Sequence, residues 1–203
     1  SIIAKKAAVG SDTCVIDIPA GPGTKIADEA EGRVLAGQLI ELGKRLGIKV
    51  ECAVTFGGAP VGRNIGVNLE VSEALHILEN KDGAGSLVQK SCAIAGIALE
   101  MTGKAAAGNG ADAAMSLIRN GKALSKMREI IEIQGGDPHV KADDLTFGPF
   151  AYDVPAPADG AVISVKNRAL IDIARTAGSP ADHGAGLNIQ KKPGETVRKG
   201  EPL

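Results

Sequence analysis

Aromatic residues are scarce in this chain, which has no Trp, one Tyr and three Phe among its 203 residues. Proteins that bind single-stranded nucleic acids stack the bases on aromatic side chains, so this scarcity argues against that class. Hydrophobic residues still make up 44% of the sequence, which excludes general disorder. We therefore expect a hydrophobic core built from Ala, Val, Ile and Leu.

An excess of charge is missing as well, because 23 Lys and Arg residues stand against 24 Asp and Glu residues. Binding along a nucleic-acid backbone requires an excess of basic residues, so we expect no nucleic-acid partner. No apolar run reaches the length of a membrane span, and no signal peptide is recognisable. We accordingly expect no membrane partner and a cytoplasmic location.

Cysteine and histidine are few and scattered. The residues concerned are Cys14, Cys52, Cys92, His76, His139 and His183. An odd number of widely spaced cysteines in apolar segments predicts buried free thiols, in keeping with a reducing compartment. No histidine has a second ligand at metal spacing, so we predict no metal among the site residues.

The first ten residues predict a short helix that Gly10 ends. Its apolar residues recur at helical spacing and are Ile2, Ile3, Ala7 and Ala8. Ser1 and Lys5 are four residues apart, so their hydroxyl and ammonium groups share another strip of the helix. Two interpretations are open at this point: the strip binds a polar planar ligand, or it is a solvated helix face.

A strand, a long helix and a second strand follow. Residues 14–18 and 49–55 are short apolar runs that predict buried strands, and residues 25–47 predict an amphipathic helix. The apolar face of this helix is assigned to Ile26, Ala30, Val34, Leu35, Leu39, Leu42 and Leu46. Such a βαβ unit implies a parallel pair. Because ligands bind beyond the carboxyl ends of parallel strands, the loops at 19–25 and 56–66 are candidate ligand-binding loops.

Glycines shape both of these loops. The GPG turn at residues 21–23 fits neither common phosphate-binding motif, and we predict that it permits a tight strand-to-helix turn, with a phosphate loop as the alternative. The run GGAPVGR at residues 57–63 is a stronger candidate for close approach to a ligand. Arg63 is either a bidentate phosphate contact or a solvated loop side chain.

The middle of the chain predicts helices without clustered reactive side chains. Residues 68–78 predict one helix, and Ser86 is the predicted N-cap of a second helix that extends to residue 101. Residues 112–133 predict one or two further helices, with an interruption at residues 120–121. We assign this whole stretch to packing.

The run QGGDP at residues 134–138 ends the helical pattern and predicts a domain boundary. We therefore expect an α/β domain with a parallel or mixed sheet at residues 1–138 and a small α+β domain with antiparallel strands at residues 139–203. The elements predicted beyond the boundary are a strand, Asp-Gly turn and strand at 152–165, a helix at 169–177, a strand at 184–190 and a turn at 192–197 that leads into a further strand.

Several motifs occur in a fixed order along the chain. They are SIIAKKAAVG at 1–10, GGAPVGRNIG at 57–66, LEVSEAL at 69–75, QGGDP at 134–138, NRA at 167–169 and GAGL at 184–187. In this order they resemble the nucleoside phosphorylase II family, which includes thymidine and pyrimidine-nucleoside phosphorylases and archaeal AMP phosphorylases. The resemblance covers essentially the whole chain and is closer to the archaeal-type branch.

The resemblance implies a pentosyltransferase that cleaves a nucleoside or a nucleoside 5′-monophosphate. Inorganic phosphate is then the co-substrate, the products are a free base and a pentose 1-phosphate, and no cofactor is needed. The family likeness assigns nucleobase binding to Ser1 and Lys5. Lys5 is also the catalytic residue on this view, because its ammonium stabilises negative charge on the departing base.

The resemblance carries four further expectations. Residues 1–10 are the remnant of a helical domain, and the chain is the C-terminal portion of a longer protein whose phosphate-binding loop precedes Ser1. The full protein is a homodimer or a higher oligomer. In some members a cation is bound at the positions of Val61, Asn64 and Glu73, the alternative being that Glu73 is a helix-surface charge.

Two rival functions stay open. The tail PGETVRKGEPL at residues 193–203 is similar to runs in biotinyl and lipoyl carrier domains, but the M-K-M or D-K-A context of a modified lysine is missing. The other rival is a structural piece that folds and is catalytically silent by itself.

Overall fold

The computed structural model describes residues 2–81 and 83–203, so Ser1 and Asp82 lie outside the described residues. Within those ranges the protein is a mixed α/β structure, as predicted. The helices are Ile2–Ala8 (α1), Glu29–Arg45 (α2), Val67–Leu78 (α3), Gly85–Met101 (α4), Gly110–Arg119 (α5), Lys122–Ile133 (α6) and Asn167–Thr176 (α7). The strands are Thr13–Ala20 (β1), Lys49–Phe56 (β2), Asn64–Ile65 (β3), Gly160–Ala161 (β4), Leu187–Asn188 (β5) and Thr196–Val197 (β6).

Two compact units make up the fold. The first contains the chain up to Gly58 together with Gln89–Ser116, and the second contains Ala59–Val88 together with Leu117–Leu203. The predicted division into domains at residues 1–138 and 139–203 stays a prediction. No helix among the described residues is long and apolar enough to span a bilayer.

The first unit is built on the βαβ arrangement expected from the sequence. β1 and β2 pair in parallel, in a register that runs from Thr13 opposite Lys49 to Ala20 opposite Phe56. Helix α2 forms the connection, with the Asp28 carboxylate accepting a hydrogen bond from the Glu31 N–H at 2.9 Å as its N-terminal cap. The predicted parallel pair is therefore confirmed.

Helix α2 contacts the sheet through a face that includes two glycines. Gly32 and Gly43 are buried, and a Cβ added at these positions would stand 2.8 Å and 2.4 Å from the side chains of Val54 and Val50. The helix can approach β2 this closely because no side chain intervenes. The predicted apolar face was partly wrong: the residues of that face that are instead exposed are Ala30, Val34, Leu42 and Leu46.

The core of the first unit joins α1 to the sheet. Its buried members are Ile3, Ile16, Ile18, Ile48 and Val50. Ile3 is only 1% exposed, so this one side chain anchors α1, while Ile2 is 55% exposed. As predicted, α1 ends just before Gly10, which adopts the left-handed conformation at φ +70°.

The second unit contains two short antiparallel pairs. β3 pairs with β5, and β4 pairs with β6. The predicted hairpin at residues 152–165 is wrong, because its two halves pair with the end of the chain and not with each other. Pro155 bridges to Pro202, and β4 lies against Thr196–Val197. Pro155 and Pro157 have no N–H to donate, which makes a regular hairpin at this position unfavourable.

Glycines allow β3 and β5 to meet. A Cβ on Gly186 would stand 2.1 Å from the carbonyl oxygen of Ile65, and one on Gly66 would stand 2.4 Å from that of Ala185. Gly66 also has φ +133°, a conformation that side chains rarely allow. The two glycine motifs noted in the sequence therefore have a structural role at this strand pair.

Candidate functional site

The predicted base-binding residue Lys5 lies on an anchored helix. It is exposed on α1, and Ile3 fixes that helix in the core. The Lys5 ammonium makes no hydrogen bond or ion pair with another described side chain. Lys6 is also exposed, about 100° further around the helix. Ser1, the other predicted base-binding residue, lies outside the described residues, so the pairing of Ser1 with Lys5 stays a prediction.

The two loops at the carboxyl ends of β1 and β2 contact each other within the first unit. The Gly57 N–H donates to the Ala20 carbonyl at 2.8 Å, and the Gly21 N–H donates to the Ile26 carbonyl at 2.9 Å. Gly21 has φ +136°, and a Cβ there would stand 3.2 Å from the Gly58 nitrogen. These contacts support the tight-turn interpretation of the GPG run, since glycine is needed for the turn itself.

A charged cluster that the sequence analysis did not single out lies on the β1–β2 pair. One carboxylate oxygen of Asp17 accepts a hydrogen bond from the Thr55 hydroxyl at 2.6 Å. Its other oxygen is 2.8 Å from the Lys90 ammonium. The Asp17 and Lys90 side chains are only 27% and 19% exposed, so this ion pair is shielded from water and satisfies both charges. The only hint in the sequence is a charged residue inside the apolar run at 14–18.

Arg63 is held by its own unit and is not a free phosphate contact. Its guanidinium donates to the carbonyls of Ile189 at 3.2 Å and Gln190 at 2.8 Å, and it forms a two-nitrogen pair with Glu195. Hydrogen bonding to Arg63, with a second contribution from the Lys192 N–H, lowers the pKa of the Glu195 carboxyl. Both interpretations offered for Arg63, phosphate contact and solvated side chain, are therefore wrong.

Glu73 is buried, at 7% exposure. Its carboxylate accepts hydrogen bonds from the backbone N–H groups of Arg63 at 3.0 Å and Asn64 at 3.1 Å. A Cβ on Gly62 would stand 2.5 Å from this carboxylate, so glycine lets the loop fold closely over it. Glu73 is consequently not a helix-surface charge, and its oxygens already have N–H donors.

Lys192 reaches the loop of residues 59–66, which we call the 59–66 loop. Its ammonium donates to the Val61 carbonyl at 2.6 Å and to the Ser86 hydroxyl at 2.7 Å. Ser86 in turn donates to the Val61 carbonyl at 2.7 Å. Helix α4 begins at Gly85, so the prediction of Ser86 as an N-cap was wrong, because its hydroxyl is used by the 59–66 loop.

The surroundings of the Lys192 ammonium change its pKa in both directions. Burial, followed by the neighbouring Arg63 guanidinium, lowers the pKa of the Lys192 ammonium, and the carboxylates of Glu73 and Glu195 oppose this shift. The contacts to Val61 and Ser86 therefore compensate an ammonium that is partly removed from water.

The residues at the expected cation position do not fit a metal ion. The Val61 carbonyl is occupied by two donors, and the Glu73 carboxylate is occupied by two backbone N–H groups. The Asn64 side-chain amide nitrogen donates to the Leu69 carbonyl at 3.1 Å, and its oxygen accepts from Asn188. A metal ion needs oxygen lone pairs that are not already used by hydrogen-bond donors.

The histidines are placed apart from these residues. His76 on α3 faces Asp143 at 3.3 Å, and Lys81 pairs with the same carboxylate at 2.9 Å. The hydrogen bond from Lys81, followed by the one to His76, lowers the pKa of the exposed Asp143 carboxyl. Among residues 2–81 and 83–203, no group of His, Cys, Asp and Glu has the arrangement of a metal site. The thiols of Cys14, Cys52 and Cys92 are free, and only Cys92 is fully buried.

The fold and these loops define an α/β protein with glycine-shaped turns at the carboxyl ends of parallel strands. No family model matches the chain. All 203 residues align at 73% identity with an AMP phosphorylase of Methanocorpusculum labreanum, at 53% with one of Methanospirillum hungatei and at 52% with one of Methanosarcina mazei. The chain spans 40%, 39% and 40% of those proteins.

These alignments confirm the resemblance stated from the motifs. Over its whole length the chain is similar to a portion of AMP phosphorylases, which are proteins of the nucleoside phosphorylase family. They do not test the roles of Ser1 and Lys5.

Proposed function

We propose that this chain is part of an AMP phosphorylase. The proposal rests on the identity of 73% over all 203 residues with a protein of that name. In the proposed reaction the N-glycosidic bond of AMP breaks and a bond forms from the anomeric carbon to an oxygen of inorganic phosphate. The products are adenine, which takes up a proton, and ribose 1,5-bisphosphate. Phosphate is the co-substrate, and the proposal includes no cofactor.

Lys5 is the proposed catalytic residue, and Ser1 and Lys5 together bind the base. As phosphate attacks the anomeric carbon, negative charge develops on the departing adenine. An exposed ammonium on a helix anchored by Ile3 is suited to stabilise that charge by electrostatics and hydrogen bonding. A positioned hydroxyl at residue 1 would fix the orientation of the base.

The remaining expectations belong to the same proposal. The full protein is a homodimer or a higher oligomer, acts in the cytoplasm, and binds neither nucleic acid nor membrane. Residues 1–138 and 139–203 correspond to its two C-terminal domains. A carrier role has no observation in its favour, because the turn lysine Lys192 is directed onto Val61 and Ser86.

A substrate panel tests the proposal. The full-length protein is incubated with AMP, thymidine or uridine, with and without phosphate, and the free base is quantified by chromatography. We expect phosphate-dependent release of adenine from AMP. Faster release of thymine or uracil would change the assigned substrate, and no release from any of the three would overturn the assignment as a phosphorylase.

A further inference from the structure

The 59–66 loop surrounds a positive charge that comes from the protein itself. The Lys192 nitrogen, the Val61 carbonyl oxygen and the Ser86 hydroxyl oxygen form a triangle with sides of 2.6, 2.7 and 2.7 Å. An ammonium ion and a potassium ion are similar in size, and both are stabilised by oxygen atoms at such distances. The triangle is therefore a small cation site that is filled by a covalently attached ammonium.

Negative charge supports this position. The carboxylates of Glu73 and Glu195 both stabilise the Lys192 ammonium. The backbone N–H of Lys192 donates to the Glu195 carboxylate at 2.8 Å. This hydrogen bond fixes the start of the turn that carries the lysine. The Lys192 side chain thus extends from the turn at residues 191–195 to the Val61 carbonyl oxygen.

The loop held by this ammonium is the one for which the family resemblance implies a bound metal ion. We propose that Lys192 is a positioning residue whose ammonium replaces that ion, so that the 59–66 loop is ordered by an internal cation. The Glu73 carboxylate and the Val61 carbonyl, which would hold a metal ion, instead accept hydrogen bonds from backbone N–H groups and from the Lys192 ammonium, respectively. This inference does not depend on the proposed enzymatic activity.

Thermal unfolding of the full-length protein tests the inference in variants of two adjacent lysines. Lys192→Ala removes the ammonium and leaves room for a small cation. Lys191→Ala removes an equal charge, since Lys191 pairs with Glu201 at 3.1 Å, and leaves the triangle intact. Melting temperatures are measured with potassium, ammonium or tetramethylammonium chloride at equal ionic strength. Tetramethylammonium controls for screening because it is too large to enter the triangle.

We expect Lys192→Ala to lower the melting temperature by on the order of 5 °C in tetramethylammonium. Potassium or ammonium should restore at least half of that loss with a saturable dependence, and Lys191→Ala should show no such cation-specific recovery. Lys192→Met fills the space without a charge, so it should melt early and recover with neither ion.

Equal cation responses in Lys192→Ala and Lys191→Ala would overturn the inference. A saturable potassium response of equal size in wild-type protein would overturn it as well, because the position of the Lys192 ammonium would then not be the responding site. Should Lys192→Ala fail to fold, Lys192→Gln is measured in the same salts. Gln keeps a donor for Val61 without the charge, and a melting temperature equal to wild type would show that the charge is not needed.

Discussion

Helix α1 carries Lys5, and the 59–66 loop accepts a hydrogen bond from Lys192. The two ammonium groups differ in their surroundings. Lys5 is exposed and has no partner among the described side chains. Lys192 is half-buried and donates to Val61 and Ser86. A charge on an anchored helix with no partner among the described side chains is available to a ligand, whereas a charge that completes a loop stabilises the fold. The predictions below test this distinction.

The largest effect is expected at Lys5. In the full-length enzyme, Lys5→Ala should lower kcat/KM for AMP phosphorolysis by on the order of 10²-fold or more, because the departing base loses its stabilising cation. Lys6→Ala is the matched control, since Lys6 is an exposed neighbour on the same helix. Steady-state kinetics with both variants checks this. Equal kcat/KM for the two would return Lys5 to the role of a solvated helix lysine.

The next largest effect is expected at the close contact between β3 and β5. Gly186→Ala should destabilise the protein by about 2 kcal/mol, because the added Cβ would meet the Ile65 carbonyl at 2.1 Å and force the strands apart. Gly160→Ala is the control, since a Cβ there meets nothing within 4 Å. Denaturant titration compares the two. A Gly186→Ala variant as stable as Gly160→Ala would contradict the close strand approach.

An intermediate effect is expected at the Asp17 pair of the first unit. Lys90→Met should cost about 1.5 kcal/mol, because the shielded Asp17 carboxylate loses its counter-charge and keeps only the Thr55 hydroxyl. Lys126→Met breaks an exposed pair with Glu129, whose side chains are 64% and 54% exposed, and should cost only about 0–0.5 kcal/mol. Equal costs in urea titrations would mean that the Asp17 pair is also solvated.

The smallest effect is expected at Ser86. Ser86→Ala removes the hydrogen bond that the hydroxyl donates to the Val61 carbonyl and the one that it accepts from the Lys192 ammonium. Lys192 keeps its contact to the Val61 carbonyl, so the loss should be only about 1 kcal/mol. Ser116→Ala serves as the reference, because the Ser116 hydroxyl bonds only to the carbonyl of Asp112 in its own helix. Thermal unfolding measures both. A loss at Ser86 no larger than at Ser116 would show that the hydroxyl does not hold the loop.

Local patterns in the sequence predicted the first unit well. The apolar runs at 14–18 and 49–55 predicted β1 and β2 and their parallel pairing, because a single helix connects them. The face of α2 was only partly predicted, since Gly32 and Gly43 carry no hydrophobic side chain that a periodicity argument can count. Their effect is visible only when the opposing Val50 and Val54 are known.

Contacts between distant residues account for what sequence patterns did not predict. The partner of Asp17 is Lys90, and the partner of Val61 is Lys192, and nothing in the local sequence indicates either pair. The predicted pairing of strands within residues 152–165 was wrong for the same reason, since Pro155 pairs with Pro202 at the end of the chain. Lys5 and Ser1 were selected as site residues through the family resemblance, because spacing alone left the solvated interpretation open.

Thermal unfolding of full-length wild type, Lys5→Ala and Lys192→Ala, with and without saturating AMP, tests the contrast between the two lysines most directly. A ligand that binds only the folded state raises the melting temperature. We predict that Lys5→Ala melts within about 1 °C of wild type without AMP and loses most of the AMP-dependent rise. Lys192→Ala should melt on the order of 5 °C lower without AMP and keep a rise. A Lys5→Ala variant that melts as low as Lys192→Ala, or that keeps the full AMP-dependent rise, would contradict the assignment of Lys5 to the ligand.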